Sequence, residues 1–314
     1  MKYLGAIDVG GTKTMVGIIS ADGCVLTKRH FPTFTGDCYA HFSDCFNRFR
    51  ECLSEAGLTD GDLEGIGINM PGMVDASSGI LLQASFAGWY DVDVKGYFSR
   101  LFGTDRIVVE NDVNSCAVGE LIFGNACDNF LWVTVSTGIG GAVIIDRQLV
   151  SGSNSCAGEI GHVKVEYEHP ARCSCGQWGC AEAHGSGTAI TRMFAEKVEN
   201  DDTLTEMLIA KNLPADAKSC SVFAKERNLP AVEVFDTAGK YIGRALSYAA
   251  NLLNPQIIYI GGGVADSLEL LLPAIRAEFS KTTVRQCADI EIKKTALAYD
   301  AALMGAAALV ARPY

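Results

Sequence analysis

Three cysteines fall within eight positions in the stretch CSCGQWGC, Cys173 to Cys180. Thiolates are soft ligands, and a closed structural zinc site takes four ligands in a tetrahedron. Cys173, Cys175 and Cys180 would supply three. The fourth would be a histidine, and His162, His169 and His184 are the candidates. The C-x-C-x4-C spacing differs from the common C-x2-C pairs, so a redox pair or unligated thiols in a loop stands beside the metal reading. Upstream, AGEIGHVKV sets Glu159 and His162 three apart, on one face if that segment is helical.

A second cluster is VVENDVN, residues 108 to 114. Asp112 stands where a strand gives way to a helix. That is a place for an N-cap, and it is also the carboxyl end of a strand, where α/β sites collect. A carboxylate there accepts a proton from a substrate hydroxyl during phosphoryl transfer. Three glycine-rich turns also follow strands: DVGGTKT (Asp8 to Thr14), STGIGGA (Ser136 to Ala142) and IGGGVADS (Ile260 to Ser267). The first has no Gly-Lys-Ser/Thr step and runs into a strand, so it is not a Walker loop. The second also runs into a strand, and the third lacks the last glycine of the dinucleotide pattern. Singly, each meets the need of a tight turn for positive φ. Together, at strand ends, they offer backbone N–H groups as nests for phosphate oxygens.

These residues need a scaffold, and the apolar pattern supplies one. YLGAIDVG, TMVGIIS and CVLTKRHF read as a three-strand meander. YAHFSDCFNRFRECLSEAG follows as a helix burying Phe42, Cys45, Phe46 and Phe49 and stopping at Gly57. LEGIGINM and RIVVEND are strands, and VNSCAVGELIFG is helical. The order then recurs: NFLWVTVSTG and GAVIID are strands around a glycine turn. AVEVFDTAGKYIGRALSYAANLLN is a long helix ended by Pro255. QIIYIGGG, SLELLLPAIRAEF, IEIKKTAL and AALMGAAALVA alternate strand and helix. Two α/β halves, each opened by a glycine-turn hairpin, predict two domains of mixed sheet with the site in a cleft. Residues 190 to 230 fit neither half and read as a helical insertion.

Length and composition agree. A chain of 314 residues suits two domains, and 48% hydrophobic residues suffice for real cores. A formal net charge of -11 argues against non-specific nucleic-acid binding and against a polybasic membrane anchor. The N-terminal sequence lacks the apolar run of a signal peptide, and no stretch of about twenty apolar residues follows. A cytoplasmic protein is expected, with reduced thiols. Of its 12 cysteines, Cys45, Cys52, Cys116, Cys127, Cys220 and Cys287 lie among apolar neighbours and read as small buried hydrophobes.

In order and spacing, DVGGTKT, GINMPGMVD, ENDVN, STGIGGA, GEIGH and CSCGQWGCAE resemble the ROK family of bacterial sugar kinases and sugar-responsive repressors, over essentially the whole chain. The resemblance implies two duplicated actin-like ATPase (ribonuclease H-like) α/β domains with a central cleft. Residues 1–115 with about 299–314 would form the first, and 116–298 the second, with the zinc loop and the insertion. It implies transfer of the ATP γ-phosphoryl group to a hexose or N-acylhexosamine hydroxyl, commonly the 6-hydroxyl. A glucokinase leads. The alternatives are an N-acylmannosamine or N-acetylglucosamine kinase, or a sugar sensor without catalysis.

By the same resemblance Asp112 matches the catalytic base, and Asn111, Glu159, His162 and Glu182 match positions that hold sugar hydroxyls. Asp8, Gly10, Gly11, Thr12 and Lys13 would face ATP and its Mg2+ from one domain, Thr137 and Gly138 from the other, with Gly261 and Gly262 near the nucleoside. His162, Cys173, Cys175 and Cys180 match the structural Zn2+ ligands, and a homodimer is expected. Two departures, QASFAGWYDV where an Asn-Leu pair is common and PGMVD for Pro-Gly-Pro-Val, lie near the sugar and leave its identity open. The repressor branch carries an N-terminal helix-turn-helix, for which the chain as read has no room.

Overall fold

The computed structural model describes residues 2–297 and 300–311; of the two expected domains, residues 1, 298, 299 and 312–314 lie outside these. Strands β1 (Tyr3–Val9), β2 (Lys13–Ser20) and β3 (Val25–Pro32) form an antiparallel meander. β1 and β2 are buried almost throughout, as their unbroken apolar runs require. β3 alternates in and out along LTKRHF, and that polar alternation protects the edge strand it forms. Helix α1 (Cys38–Glu55) starts where the Asp37 side chain accepts from Tyr39 N. It buries Phe42, Cys45, Phe49 and Cys52, with Phe46 half-buried beside them.

β4 (Leu63–Met70) runs parallel to β1. A small antiparallel sheet that the apolar pattern did not announce comes next: β5 (Met73–Asp75), β6 (Ile80–Ala84) and β7 (Trp89–Asp93). α2 (Val94–Phe102), β8 (Ile107–Asn111) and α3 (Asp112–Phe123) follow. Then come β9 (Phe130–Val135), β10 (Ile139–Ile145), β11 (Gln148–Leu149) and α4 (Ala181–Gly185). The expected insertion is three helices, α5 (Gly187–Glu199), α6 (Asp202–Lys211) and α7 (Ala217–Lys225). α8 (Leu229–Leu253) ends on Asn254, whose left-handed backbone (φ 46°) returns its N–H to Ala250 O one residue before Pro255. β12 (Ile257–Gly261), α9 (Leu268–Thr282), β13 (Glu291–Lys294) and α10 (Ala301–Ala311) complete the chain.

The two large sheets share one plan, β3-β2-β1-β4-β8 and β11-β10-β9-β12-β13. The chain divides into two compact units: Met1–Asn129 with Ala142–Ala157 and Thr295–Tyr314, and Phe130–Gly141 with Gly158–Lys294. In the first unit α10 packs on β1, β4 and α3. Missing side chains allow this approach. A Cβ on Gly67 would stand 1.8 Å from Ala306 O, and one on Gly119 would stand 2.9 Å from the Gly305 backbone. Thus the helix that begins with Asp112 is held by a glycine–glycine contact.

All 12 cysteines are free thiols. Cys45, Cys52, Cys116, Cys220 and Cys287 are buried as expected. Cys127 is only half-buried, because it sits in the loop before β9, where its thiol donates to Asn129 O. No helix among the described residues is long and apolar enough to cross a membrane.

Candidate active site and metal centre

In the first unit, β1, β4 and β8 are parallel neighbours, so their carboxyl ends lie together. Asp8 registers with Asn69, and Met70 with Asn111. Asp8 is buried, and Asn69 Nδ2 donates to its Oδ1 at 3.3 Å. Burial, and next the charge of Asp112, push the Asp8 carboxyl up to about 7, against the opposing pull of Asn69 and Lys13. Two carboxylates therefore stand at the carboxyl edge of one sheet, and the Lys13 charge offsets the burial of Asp8 only in part. Asn69 Oδ1 is buried with no hydrogen-bond partner. Sequence reasoning did not single out Asn69. Its only signal is that it is the one polar side chain deep in GINMPG, a strand otherwise buried on both faces.

Asn111, not Asp112, is the N-cap of α3. Its backbone is still extended (φ -61°, ψ 145°), and its Oδ1 accepts from Val113 N at 2.9 Å and Asn114 N at 3.1 Å. Asp112 is the first helical residue, with Oδ1 accepting from Val113 N and from Asn111 Nδ2, both at 3.0 Å. The expected cap role thus belongs one residue earlier, because the helical dihedrals begin at Asp112. Asn111 Nδ2 also donates to Gly72 O at 2.9 Å, tying the cap to the turn before β5. Beneath it, Glu110 accepts from Asn111 N and Asn114 Nδ2, and burial raises its carboxyl above the ordinary range.

The first glycine turn closes with Gly10 N donating to Lys13 O at 3.1 Å, and Thr33 N pins Thr12 O at 3.1 Å. Gly11 and Thr12 are exposed and Lys13 half-buried. In the second unit, Ser136 N donates to Gly138 O at 2.9 Å. Gly187 N holds Ser136 O at 2.7 Å, and Thr188 Oγ1 holds Thr137 O at 2.8 Å. Thr137, Gly187, Thr188, Lys218, Gly263 and Ser267 line a cavity of about 680 Å³. Gly261 and Gly262 are not among the lining residues but directly precede one of them, Gly263. A Cβ on Gly261 would strike the Trp132 ring at 2.4 Å, and Gly262 turns the chain at φ +86°.

The second unit also gathers His162, Cys173, Cys175 and Cys180, with one ligand atom from each lying within 4.8 Å of the others. Cys175 Sγ and Cys180 Sγ are 3.7 Å apart, and Cys173 Sγ is 3.7 Å from His162 Nδ1. A tetrahedron of ~2.3 Å metal–sulfur bonds has ~3.8 Å edges, so the donor set fits such an ion. Lys164 Nζ donates to Cys180 Sγ at 2.9 Å. The other two histidines lie elsewhere. His169 is exposed. His184 Nε2 accepts from Ala171 N at 3.0 Å, and burial lowers its pKa.

Glu159 precedes a short 3-10 turn, Ile160–His162, which keeps the two side chains on one side: Glu159 Oε2 is 3.8 Å from His162 Nε2. His162 therefore offers Nδ1 to the sulfur cluster and turns Nε2 toward Glu159. Glu182 follows Cys180 on α4. Its Oε2 accepts from Ile139 N at 3.1 Å, and its Oε1 accepts from Ser174 Oγ at 2.6 Å.

The model of the ROK family matches residues 4–312. The chain is 32% identical to a glucokinase of Halalkalibacterium halodurans, covering 98% of this chain and 94% of that protein. It is 31% identical to a glucokinase of Thermotoga maritima, covering 99% and 97%. Among solved structures it resembles a ROK family glucokinase from Streptomyces griseus in complex with glucose and AMPPNP, with TM-score 0.82, 28% identity and 98% of both chains covered. That likeness bears out the α/β fold of mixed sheets expected for actin-like ATPases. Matched from the first strand to the last helix, the chain belongs to the ROK family.

Proposed function

We propose that the protein transfers the γ-phosphoryl group of ATP to a hexose hydroxyl, with glucose at its 6-position as the first substrate. The observation that carries this is Asp112, a carboxylate on the first turn of α3 at the carboxyl end of β8, with Asp8 and the glycine turn at the same edge of the sheet on β1, across β4. The family match and the full-length likeness to two glucokinases make the chain a sugar phosphotransferase.

Phosphoryl transfer needs a hydroxyl held in line and relieved of its proton, with charge stabilised on the phosphate oxygens. Asp112 accepts the proton. Its Oδ1 is fixed by the Asn111 amide and Val113 N–H, which holds the carboxylate in place. Asn111, Glu159, His162 and Glu182 hold the sugar hydroxyls, pairing planar acceptors and donors with adjacent hydroxyl groups. Lys13 and the N–H groups of Gly11 and Thr12 receive phosphate oxygens, on a turn that the Gly10 N–H closes against Lys13 O. In the second unit Thr137 and Gly138 are the residues for the phosphates, and the cavity that Thr137 lines takes the nucleoside, with Gly261 and Gly262 just before its lining residue Gly263. Mg2+ fits the Asp8 side, where a buried carboxylate stands beside the charge of Asp112; when bound it would neutralise phosphate charge.

Zn2+ fits His162, Cys173, Cys175 and Cys180. With four protein ligands it has no open position and would only fix the loop. His162 can serve both roles because Nδ1 and Nε2 face different ways. The same reading makes the protein a cytoplasmic homodimer that binds neither nucleic acid nor membrane.

The test is a panel of hexoses and N-acylhexosamines with Mg·ATP, read by coupled ADP release. Glucose-dependent turnover is expected. Binding of hexose with no ADP release for any sugar would replace the kinase by a sensor.

A further inference from the structure

The Glu182 carboxylate holds two segments of the second unit that are remote in sequence. Oε2 accepts from Ile139 N at 3.1 Å. Ile139 directly follows the Ser136–Gly138 turn, and a Cβ on Gly138 would lie 2.4 Å from that oxygen. The glycine is therefore the space in which the carboxylate sits. Oε1 accepts from Ser174 Oγ at 2.6 Å, with Cys173 Sγ at 3.5 Å. Ser174 stands between two of the clustered thiols, Cys173 and Cys175. Thr137, one residue before Gly138, lines the 680 Å³ cavity, whereas Ser174 does not.

We propose that Glu182 is a positioning residue that transmits the position of the metal loop to the phosphate turn, so that a change confined to that loop alters nucleotide affinity. This rests on the reading of the cavity as the nucleotide site. The physical basis is the rigidity of a carboxylate anchored at both oxygens. With Ser174 Oγ and Ile139 N–H both engaged, rotation of the carboxyl group costs one bond or the other. Without the hydroxyl, only the Ile139 bond and packing against Gly138 remain. The turn between β9 and β10 then loses a fixed partner, and its N–H groups meet phosphate less well oriented. Sugar contacts are not needed for the effect, so it appears with nucleotide alone.

The experiment is calorimetric titration of metal-loaded protein, without sugar, with a non-hydrolysable ATP analogue and Mg2+. Ser174→Ala keeps all four thiol and imidazole ligands. It should weaken analogue binding by roughly 3-fold or more, the scale of one lost hydrogen bond, with metal content unchanged. Ser174→Thr keeps the hydroxyl and should restore affinity, which a general packing defect would not allow. In a Glu182→Ala background, Ser174→Ala should have no further effect. Unchanged affinity in Ser174→Ala, or losses that add in the double variant, would overturn the proposal. If the unsubstituted protein binds no analogue, the nucleotide reading fails and this proposal fails with it.

Discussion

Asn69 Nδ2 donates both to Asp8 Oδ1, at 3.3 Å, and to Ala302 O, at 2.6 Å. Both amide protons are thus used, and one of them ties the strand-end carboxylate to the helix α10 behind it. That neutral donor and the charge of Lys13 together do not offset the cost of burying Asp8 beside Asp112, so the carboxyl is pushed up to about 7 from its ordinary 3.8.

A pH dependence of stability follows. Between pH 3.8 and about 7 the folded chain holds a proton that the unfolded chain releases. Folding is then coupled to proton uptake, and stability falls as pH rises through this window. The penalty is absent below the lower value and complete above the upper one. Without Mg2+ and nucleotide, Asp8→Asn should raise the melting temperature at pH 8 more than at pH 5, while reducing turnover severely. Equal shifts at both pH values would show that Asp8 ionises freely in the folded protein.

The outline of this molecule was legible because its signals are local. Two glycine-turn hairpins, apolar runs in β1, β4, β9 and β12, and three sulfur atoms close in sequence each announce themselves within a few residues. Other features depend on distant partners. Asn69 gains its role only because β4 lies between β1 and β8, and Glu182 because Ile139 and Ser174 converge on it. The cap lies on Asn111 and not on Asp112, a distinction ENDV alone does not make because Asn and Asp cap about equally well. The small β5–β7 sheet has no clear sequence signal because its strands are short and the stretch through β5 and β6, MPGMVDASSGILLQA, is broken by turn residues.

The contact between Gly119 and Gly305 sets two effects against each other. Gly119→Ala gains up to ~1 kcal/mol of helix propensity. The new methyl would stand 2.9 Å from backbone atoms of Gly305, which have no rotamer to yield. Overpacking costs ~1–3 kcal/mol, so the net effect should be destabilising. Gly61→Ala, whose Cβ meets only Thr59 Oγ1 at 3.6 Å, is the control. Denaturant titration should show a lower midpoint for Gly119→Ala alone; a higher midpoint would mean that α3 and α10 shift freely.

The sulfur cluster should be occupied in protein purified without chelator. Elemental analysis should find about one zinc per chain, as four closed ligands imply. Cys175→Ser should lose the metal and some thermal stability, because Cys175 is the exposed ligand and the loop then lacks a corner of its tetrahedron. Metal-free protein with full activity and unchanged melting would reject the site.

The sharpest test separates the proposed base, Asp112, from the cap, which the structure places on the adjacent Asn111. Asp112→Asn keeps the shape and an oxygen for Val113 N–H, but removes the proton acceptor. Turnover should fall by at least ~10²-fold, the scale for a positioned general base. The melting temperature should barely move, because the cap lies elsewhere. Asn111→Ala removes the acceptor for Val113 N and Asn114 N and the donor to Gly72 O. It should cost ~0.5–2 kcal/mol of stability, and sugar affinity should fall through the lost hydroxyl contact. Nucleotide affinity should change little in either variant, because both phosphate turns stay intact. Circular-dichroism melts and steady-state kinetics on the two proteins decide the matter. If Asp112→Asn turned over normally while Asn111→Ala lost all turnover, the proton acceptor would not be Asp112, and the mechanism proposed above would fail.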